Sequence, residues 1–268
     1  MQPIEAAPAG VLAGIDFLFS DIDDTLTDDG RLPAASYEAL WLLHERGVKL
    51  VPVTGRPAGW CDFFARMWPV DAVVGENGAF FFSYDRGLRR MRREYLMDRA
   101  QRLENERRLA LIRDEILAEV PGAAVSADQA YRLADLAIDF REDVEPLGER
   151  ELERICAVAR RHGAEYKVSS IHVNIWFGAY DKLACMRRYL QSMHGLDLDA
   201  AQSRLAFVGD SPNDEPMFAG VANSIGVANI RNFLPRISHP PRYLTRGESA
   251  RGFREAADLI LAAKSAKV

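Results

Sequence analysis

Apolar and polar positions along the chain fall into short unbroken apolar runs separated by segments of helical spacing. The run "IDFLFSD" (15–21) is continuous and stops at an aspartate, the pattern of a strand buried on both faces. "PAASYEALWLLHERG" then reads as a helix: Pro33 suits its first turn, Tyr37, Leu40 and Leu43 share a face, and Gly47 can end it. "VKLVPVTGRP" is a second short strand, and Pro52 inside it predicts an irregular or edge position. "AGWCDFFARMW" predicts a helix, and "DAVVGENGAFFF" two short strands around 75–78. Strand, helix, strand, helix, strand is the alternation of a parallel α/β sheet.

The alternation breaks at about residue 84 and resumes at about 179. Between them lie a long charged helix (94–120), the apolar strand "LADLAIDF", a helix (147–162) and the alternating strand "KVSSIHVNIWF". This reads as an inserted α+β unit at 84–178, between core segments 1–83 and 179–268. Beyond it "DKLACMRRYLQSMHG" is a helix, "RLAFVGD" a buried strand and "NDEPMFAG" a short helix. "NSIGVAN", "PRYLTRG" and "ARGFREAADLILAAK" supply the remaining strands and the last helix. The fold class expected is α/β, a doubly wound parallel sheet with an inserted α+β domain.

Composition narrows the function classes. The chain has 268 residues and a net charge of −5, which argues against general nucleic-acid binding. Cys61, Cys156 and Cys185 are far apart, form no CxxC pair and no zinc spacing, and read as reduced thiols. The N-terminal apolar run is short, has no basic flank and is interrupted by Asp16, so neither a signal peptide nor a membrane span is expected. The expected location is the cytoplasm.

The chemistry gathers where the first strand ends. In "FLFSDIDDTLTDDG" five aspartates follow the apolar run: Asp21, Asp23, Asp24, Asp28 and Asp29. In an open α/β sheet ligands bind beyond the carboxyl ends of the strands. Asp21 and Asp23, two positions apart, share one side of an extended segment. Two close carboxylates repel unless a positive group lies between them, and a hard cation such as Mg²⁺ fits that need. A calcium loop does not fit: from Asp21 the sixth position is Leu26 rather than glycine, and the twelfth is Leu32 rather than glutamate. Three later element ends carry matching groups. Thr54 closes "VPVTG" with a hydroxyl that can donate to a phosphate oxygen. Lys182 opens a helix, where the dipole disfavours a cation and a bound anion would favour it. "FVGDSPND" ends a strand with Asp210, Asn213 and Asp214, a second oxygen-rich loop.

In "DIDDT", "VTGRP", Lys182 and "GDSPND", with "GVAN" and the "YLT…GFREAADLI" ending, the chain resembles the haloacid dehalogenase (HAD) superfamily of phosphatases. The position of the insertion, between the threonine and lysine motifs, resembles the C2 cap of the type IIB, Cof-like branch. That branch includes sucrose-phosphate and mannosylglycerate-phosphate phosphatases. Two positions depart from the commonest form: Asp24 and Leu183 stand where glycine is usual.

The resemblance implies that Asp21 is the nucleophile, forming an aspartyl phosphate, and that Asp23 is the general acid and base. It implies Mg²⁺ held by Asp21, the backbone carbonyl of Asp23 and Asp210. Thr54, Gly55, Lys182 and Asn213 would bind the transferring phosphoryl group, and Asp214 would position Lys182 or the metal's waters. The partner implied is a small phosphomonoester, with a sugar phosphate the leading class. A phosphomutase is the rival within enzymes. A phospho-accepting switch is the rival outside them, and a base at Asp23 disfavours it. No GxGxxG or GxxxxGK[ST] motif supports a nucleotide module. In the insertion, alternation along one strand puts Lys167, Ser169, Ile171, Val173 and Ile175 on one side and Val168, Ser170, His172, Asn174 and Trp176 on the other. Ser170, His172 and Asn174 suit a polyhydroxylated ligand, and Arg132 and Lys167 are further candidates on charge. The arginine-rich run "DRGLRRMRREYLMDR" reads as a solvated face or as a basic rim.

Overall fold

The structure is a computed structural model and describes residues 1–169 and 171–266. After β1 (Gln2–Pro3) and α1 (Ala9–Ala13), the chain alternates β2 (Phe17–Ser20), α2 (Ala34–Glu45), β3 (Lys49–Pro52), α3 (Ala58–Met67) and β4 (Val73–Gly75). A hairpin of β5 (Phe80–Asp85) and β6 (Arg90–Tyr95) follows. The insertion contains α4 (Arg99–Glu119), β7 (Ala124–Val125), β8 (Leu136–Asp139), α5 (Glu149–Arg161), β9 (Glu165–Val168) and β10 (His172–Trp176). The chain then returns through α6 (Lys182–His194), β11 (Leu205–Gly209), α7 (Glu215–Gly220), β12 (Ser224–Gly226), β13 (Tyr243–Leu244) and α8 (Ser249–Ser265).

The core sheet runs β1-β13-β12-β11-β2-β3, and every pairing in it is parallel. Strand direction leaves one identity to each face: Leu18 packs with α2 and α8, whereas Phe17 and Phe19 pack with α6. Both faces are covered, which is why β2 and β11 read as unbroken apolar runs. The strand carrying Pro52 is the last in this sheet, and its proline sits at the strand's end. A bridge from Val53 to Val74 then joins it to a second sheet, β4-β5-β6.

Two boundaries differ from the sequence reading. Residue 84 falls inside β5, and the arginine-rich run forms β6 beside it rather than opening the insertion, while the helix expected from 94 starts at Arg99. The β5–β6 hairpin stays with the core because Phe80, Phe81 and Phe82 are buried in it. The cap proper therefore begins after Tyr95, and α4 starts at Arg99 behind a capping box of Asp98 and Gln101. The second difference lies in the strand expected through 167–177. It is two antiparallel strands, β9 and β10, with Val168 opposite Val173. This pairing changes the parity: Lys167 pairs with Asn174 and so shares its face, instead of lying opposite it. Ser170 lies outside the described residues.

The cap sheet, β7-β8-β10-β9, is antiparallel. One face packs Ile138, Val173 and Ile175 against Ile112 and Ile116 of α4 and Ile155 and Val158 of α5. The other face carries Lys167, His172 and Asn174, which line a pocket shared with the core.

Candidate active site

Register builds the site. Val208, Ser20 and Pro52 lie side by side in neighbouring strands. Asp210, Asp21 and Thr54 follow each of them within two residues, so the three side chains emerge at one sheet edge. The edge lies where the sheet's connections diverge, the crevice position of a doubly wound fold. Backbone bonds fix the exits: Asp21 N–H donates to Val208 O at 2.9 Å, and Val53 N–H to Ser20 O at 2.8 Å.

Lys182 is the electrostatic centre. Its Nζ lies 2.7 Å from Asp21 Oδ1, 2.6 Å from Asp214 Oδ1 and 3.3 Å from Asn213 Oδ1. Burial opposes its charge, but Asp21 and Asp214 outweigh burial and hold the ammonium protonated. The same burial, with Asp214 and Asp23 adding to it against the pull of Lys182, pushes the Asp21 carboxyl up to about 8. Burial, Asp21 and Asp214 raise Asp210 as well. The helix start that carries Lys182 is held by Asp181, whose side chain caps Ala184 N–H at 2.7 Å. It approaches so closely that a Cβ on Gly78 would lie 2.1 Å from Asp181 O, and Gly78 has φ +107°. Only glycine fits there.

Oxygens of Asp21, Asp210 and Asp214 lie within 4.8 Å of one another. Three buried carboxylates with one lysine leave an excess of negative charge. A hard divalent cation answers that excess, and the all-oxygen donor set suits it. Asp210 is steered by Thr25 Oγ1 at 2.9 Å and Asn229 Nδ2 at 3.2 Å. Asp214 accepts the Asp210 N–H at 3.1 Å through its second oxygen, so its carboxylate ties Lys182 to the Asp210 loop. Thr54 is fully buried, and its Oγ1 accepts Arg56 N–H at 3.0 Å, which leaves the hydroxyl hydrogen to donate.

The pocket above these groups has a volume of about 460 Å³. Asp21, Asp23, Gly55, Asp210 and Asn213 line it from the core, and Arg132, Lys167, His172 and Asn174 from the cap. Arg132 is nevertheless committed elsewhere. Its guanidinium bonds Asp128 at 2.9 Å, Asp135 at 3.0 Å and the Gly55 carbonyl at 3.1 Å. It therefore ties cap to core. Asn174 Nδ2 donates to Asp135 at 3.0 Å. His172 Nε2 lies 2.9 Å from Glu142 Oε2 without the alignment of a hydrogen bond, and burial lowers its pKa.

Several residues here had no sequence signal that singled them out. Arg56 holds Asp23 and reaches Glu142 at 3.7 Å, so a chain of charge runs Asp23–Arg56–Glu142 and ends beside the His172 ring. Glu142 is presented by a turn whose N–H groups at 141, 142 and 143 all donate to Asp139 at 2.8 Å. Glu76, fully buried, accepts from Ala58, Leu133, Ala134 and Asp135 N–H and so binds the cap loop to the core. Asn77, buried at the pocket wall with φ +56°, keeps an amide donor without a partner among the described residues. The "GENG" turn between two apolar strands was the available signal for both.

Residues 18–109 match the family model of haloacid dehalogenase-like hydrolases. A phosphoglycolate phosphatase of Methanobrevibacter smithii is 26% identical over 251 residues, covering 90% of this chain and 97% of that protein. A crystal structure of Thermoplasma acidophilum 0175 superposes with a TM-score of 0.71 at 16% identity, covering 92% of this chain and 98% of that one. The sucrose-phosphatase of Synechocystis sp. PCC6803, solved with sucrose and phosphate, gives a TM-score of 0.63 at 17% identity, covering 91% and 97%. The two structural likenesses bear on the fold alone. The matched segment carries Asp21, Asp23 and Thr54 of the sheet edge, and over these residues the chain is similar to haloacid dehalogenase-like hydrolases. The fold it shares with these structures is an α/β core with an inserted α+β cap.

Proposed function

We propose that the protein is a Mg²⁺-dependent phosphatase of a small phosphomonoester, acting through an aspartyl phosphate on Asp21. The observation that carries this reading is the buried Asp21–Lys182–Asp214 ion cluster, with Asp210 beside it, at the floor of a pocket closed by the cap. The names of relatives agree: one is a phosphoglycolate phosphatase, another a sucrose-phosphatase.

An Asp21 oxygen attacks phosphorus as the ester P–O bond breaks, and Asp23 gives a proton to the departing alkoxide. Water then attacks the phosphoryl group, Asp23 takes its proton, and the bond to Asp21 breaks to release phosphate. Lys182, Thr54 and the Gly55 backbone hold the non-bridging oxygens, where charge spreads in the transition state. Asn213 orients Lys182 through its side-chain oxygen. Asp21, Asp210 and the Asp23 carbonyl would hold Mg²⁺, with Asp214 behind, and the metal would supply the positive charge that lets an anionic nucleophile meet an anionic phosphate. The cap excludes water and contacts the leaving group.

The test is phosphate release from a panel of phosphomonoesters with and without Mg²⁺, using wild type and Asp21→Asn. We expect turnover that requires the metal and is abolished by Asp21→Asn. Equal turnover by both proteins, in preparations free of contaminating phosphatase, overturns the reading.

A further inference from the structure

The pocket's cations divide into two kinds. Arg56 is neutralised by Asp23 and Glu142, and Arg132 by Asp128 and Asp135. Lys182, below the floor, is neutralised by Asp21 and Asp214. Lys167 and Arg236 are different. Both line the pocket, Lys167 from β9 of the cap and Arg236 from the core segment Ala228–Arg236. Among the described residues neither side chain makes a hydrogen bond, and neither has a carboxylate within 4.0 Å. Every acidic residue that lines this pocket, Asp21, Asp23, Asp24 and Asp210, sits at the reacting end.

Resting on the phosphatase reading, we propose that Lys167 and Arg236 select a substrate whose leaving group carries a second anionic group. A carboxylate or a second phosphate both meet this description. The aspartates at the reacting end repel an anionic tail, so such a substrate needs cations in the pocket wall to hold it. Arginine offers a fork that matches either oxyanion, and lysine a mobile point charge. One cation comes from each domain, so a tail bound by both joins the cap to the core over the reacting phosphate. Phe233, Val168 and Ile171 line the same pocket and give the short carbon skeleton apolar contact. A neutral sugar phosphate offers these cations hydroxyl acceptors but no opposite charge.

The experiment measures kcat/KM for phosphoglycolate, a phosphoglycerate, a hexose bisphosphate, a neutral hexose monophosphate and an aryl phosphate. Wild type, Lys167→Met and Arg236→Met are compared. We expect wild type to favour at least one anion-bearing class over the neutral hexose monophosphate by about tenfold or more, the scale of one charged hydrogen bond. Whether the acids or the bisphosphate lead identifies the anion. Each variant should lose about tenfold on the favoured class and less than about twofold on the aryl phosphate, because neither residue touches the reacting groups. Raised ionic strength should weaken the wild-type preference. Equal losses across the panel, or none, overturn the inference and leave the phosphatase reading standing. If wild type hydrolyses no phosphomonoester, the aryl phosphate included, that reading falls and the inference with it.

Discussion

Arg56 grips Asp23 through both carboxylate oxygens, with Nε 3.1 Å from each and Nη2 2.8 Å from Oδ1. Its own guanidinium lies 4.7 Å from the Trp60 ring centre and reaches cap Glu142. The proposed acid and base is thus aimed by a core arginine that the cap also holds. Arg56→Gln keeps one donor and loses the fork. We expect kcat for an alkyl phosphate to fall by about 10²-fold, the cost of misplacing a reacting group by about 1 Å. An aryl phosphate, whose leaving group needs little protonation, should fall much less. Equal losses on both would take Arg56 out of the aiming role.

Lys182 separates two buried carboxylates, so its loss should be felt in stability as well as turnover. Lys182→Met leaves Asp21 and Asp214 without their shared cation, and breaking a buried pair costs about 3–5 kcal/mol. The double variant Asp21→Asn with Lys182→Met removes one orphaned charge and should recover part of that loss, while both proteins stay inactive. Urea unfolding of the four members of the cycle checks this. A double variant no more stable than Lys182→Met alone would show that the two groups are not coupled.

How far the sequence could be read depended on what each residue does locally. Asp21, Thr54, Lys182, Asp210, Asn213 and Asp214 sit at ends of elements with clear apolar or helical patterns, so their convergence at one edge follows from parallel strand order. The cap was harder to read. "KVSSIHVNIW" alternates with no Gly or Pro between its halves, so it read as one strand and the pairing of β9 with β10 was hidden. The exposed edge strand β6 is full of arginine, as edges often are, and that charge read as the solvated opening of the insertion. Arg132 looked available because its partners Asp128 and Asp135 acquire meaning only when folded against it. Glu76 showed only as part of the "GENG" turn, and its role stayed hidden because its four donors are backbone N–H groups from two distant segments.

Asp24 occupies the position where the resemblance expects glycine, and its backbone shows why. Its φ is +56°, in the left-handed region that L-residues enter at a cost. Its carbonyl, not its side chain, accepts Asn229 Nδ2 at 3.1 Å. Asp24→Gly should therefore keep that bond, relieve the strain and remove a carboxyl crowded by Asp23, Asp29 and Asp28. After the added entropy of the unfolded chain, the gain should be about 0.5–1 kcal/mol. Thermal melting should rise and turnover stay within about twofold. A lower melting temperature would mean that the Asp24 side chain makes a contact the fold needs.

Glu76 is one of the buried carboxyls through which stability should depend on pH. It is fully buried, and it accepts Ala58 N–H at 3.0 Å from the core and Leu133, Ala134 and Asp135 N–H at 2.9, 2.6 and 3.1 Å from the cap. Burial and the neighbouring Asp135 push its carboxyl up from 4.5 to about 8, against the pull of those N–H groups and of Arg132. A raised carboxyl binds its proton more tightly in the folded state than in the unfolded chain. Its contribution to stability is therefore complete below about pH 4.5 and is lost as pH rises through about 8. Glu76→Gln has no proton to release and cannot follow that slope. It also turns an amide NH₂ toward backbone N–H donors, leaving at least one without an acceptor. At pH 6 we expect the variant to be less stable by about 1–3 kcal/mol, the cost of an unsatisfied buried group. As the wild type loses its protonated form, the gap should narrow toward about pH 8.5. Urea unfolding of both proteins at the two pH values measures the gap directly. Parallel curves, with the same difference at each pH, would show that Glu76 joins cap to core without titrating in this range.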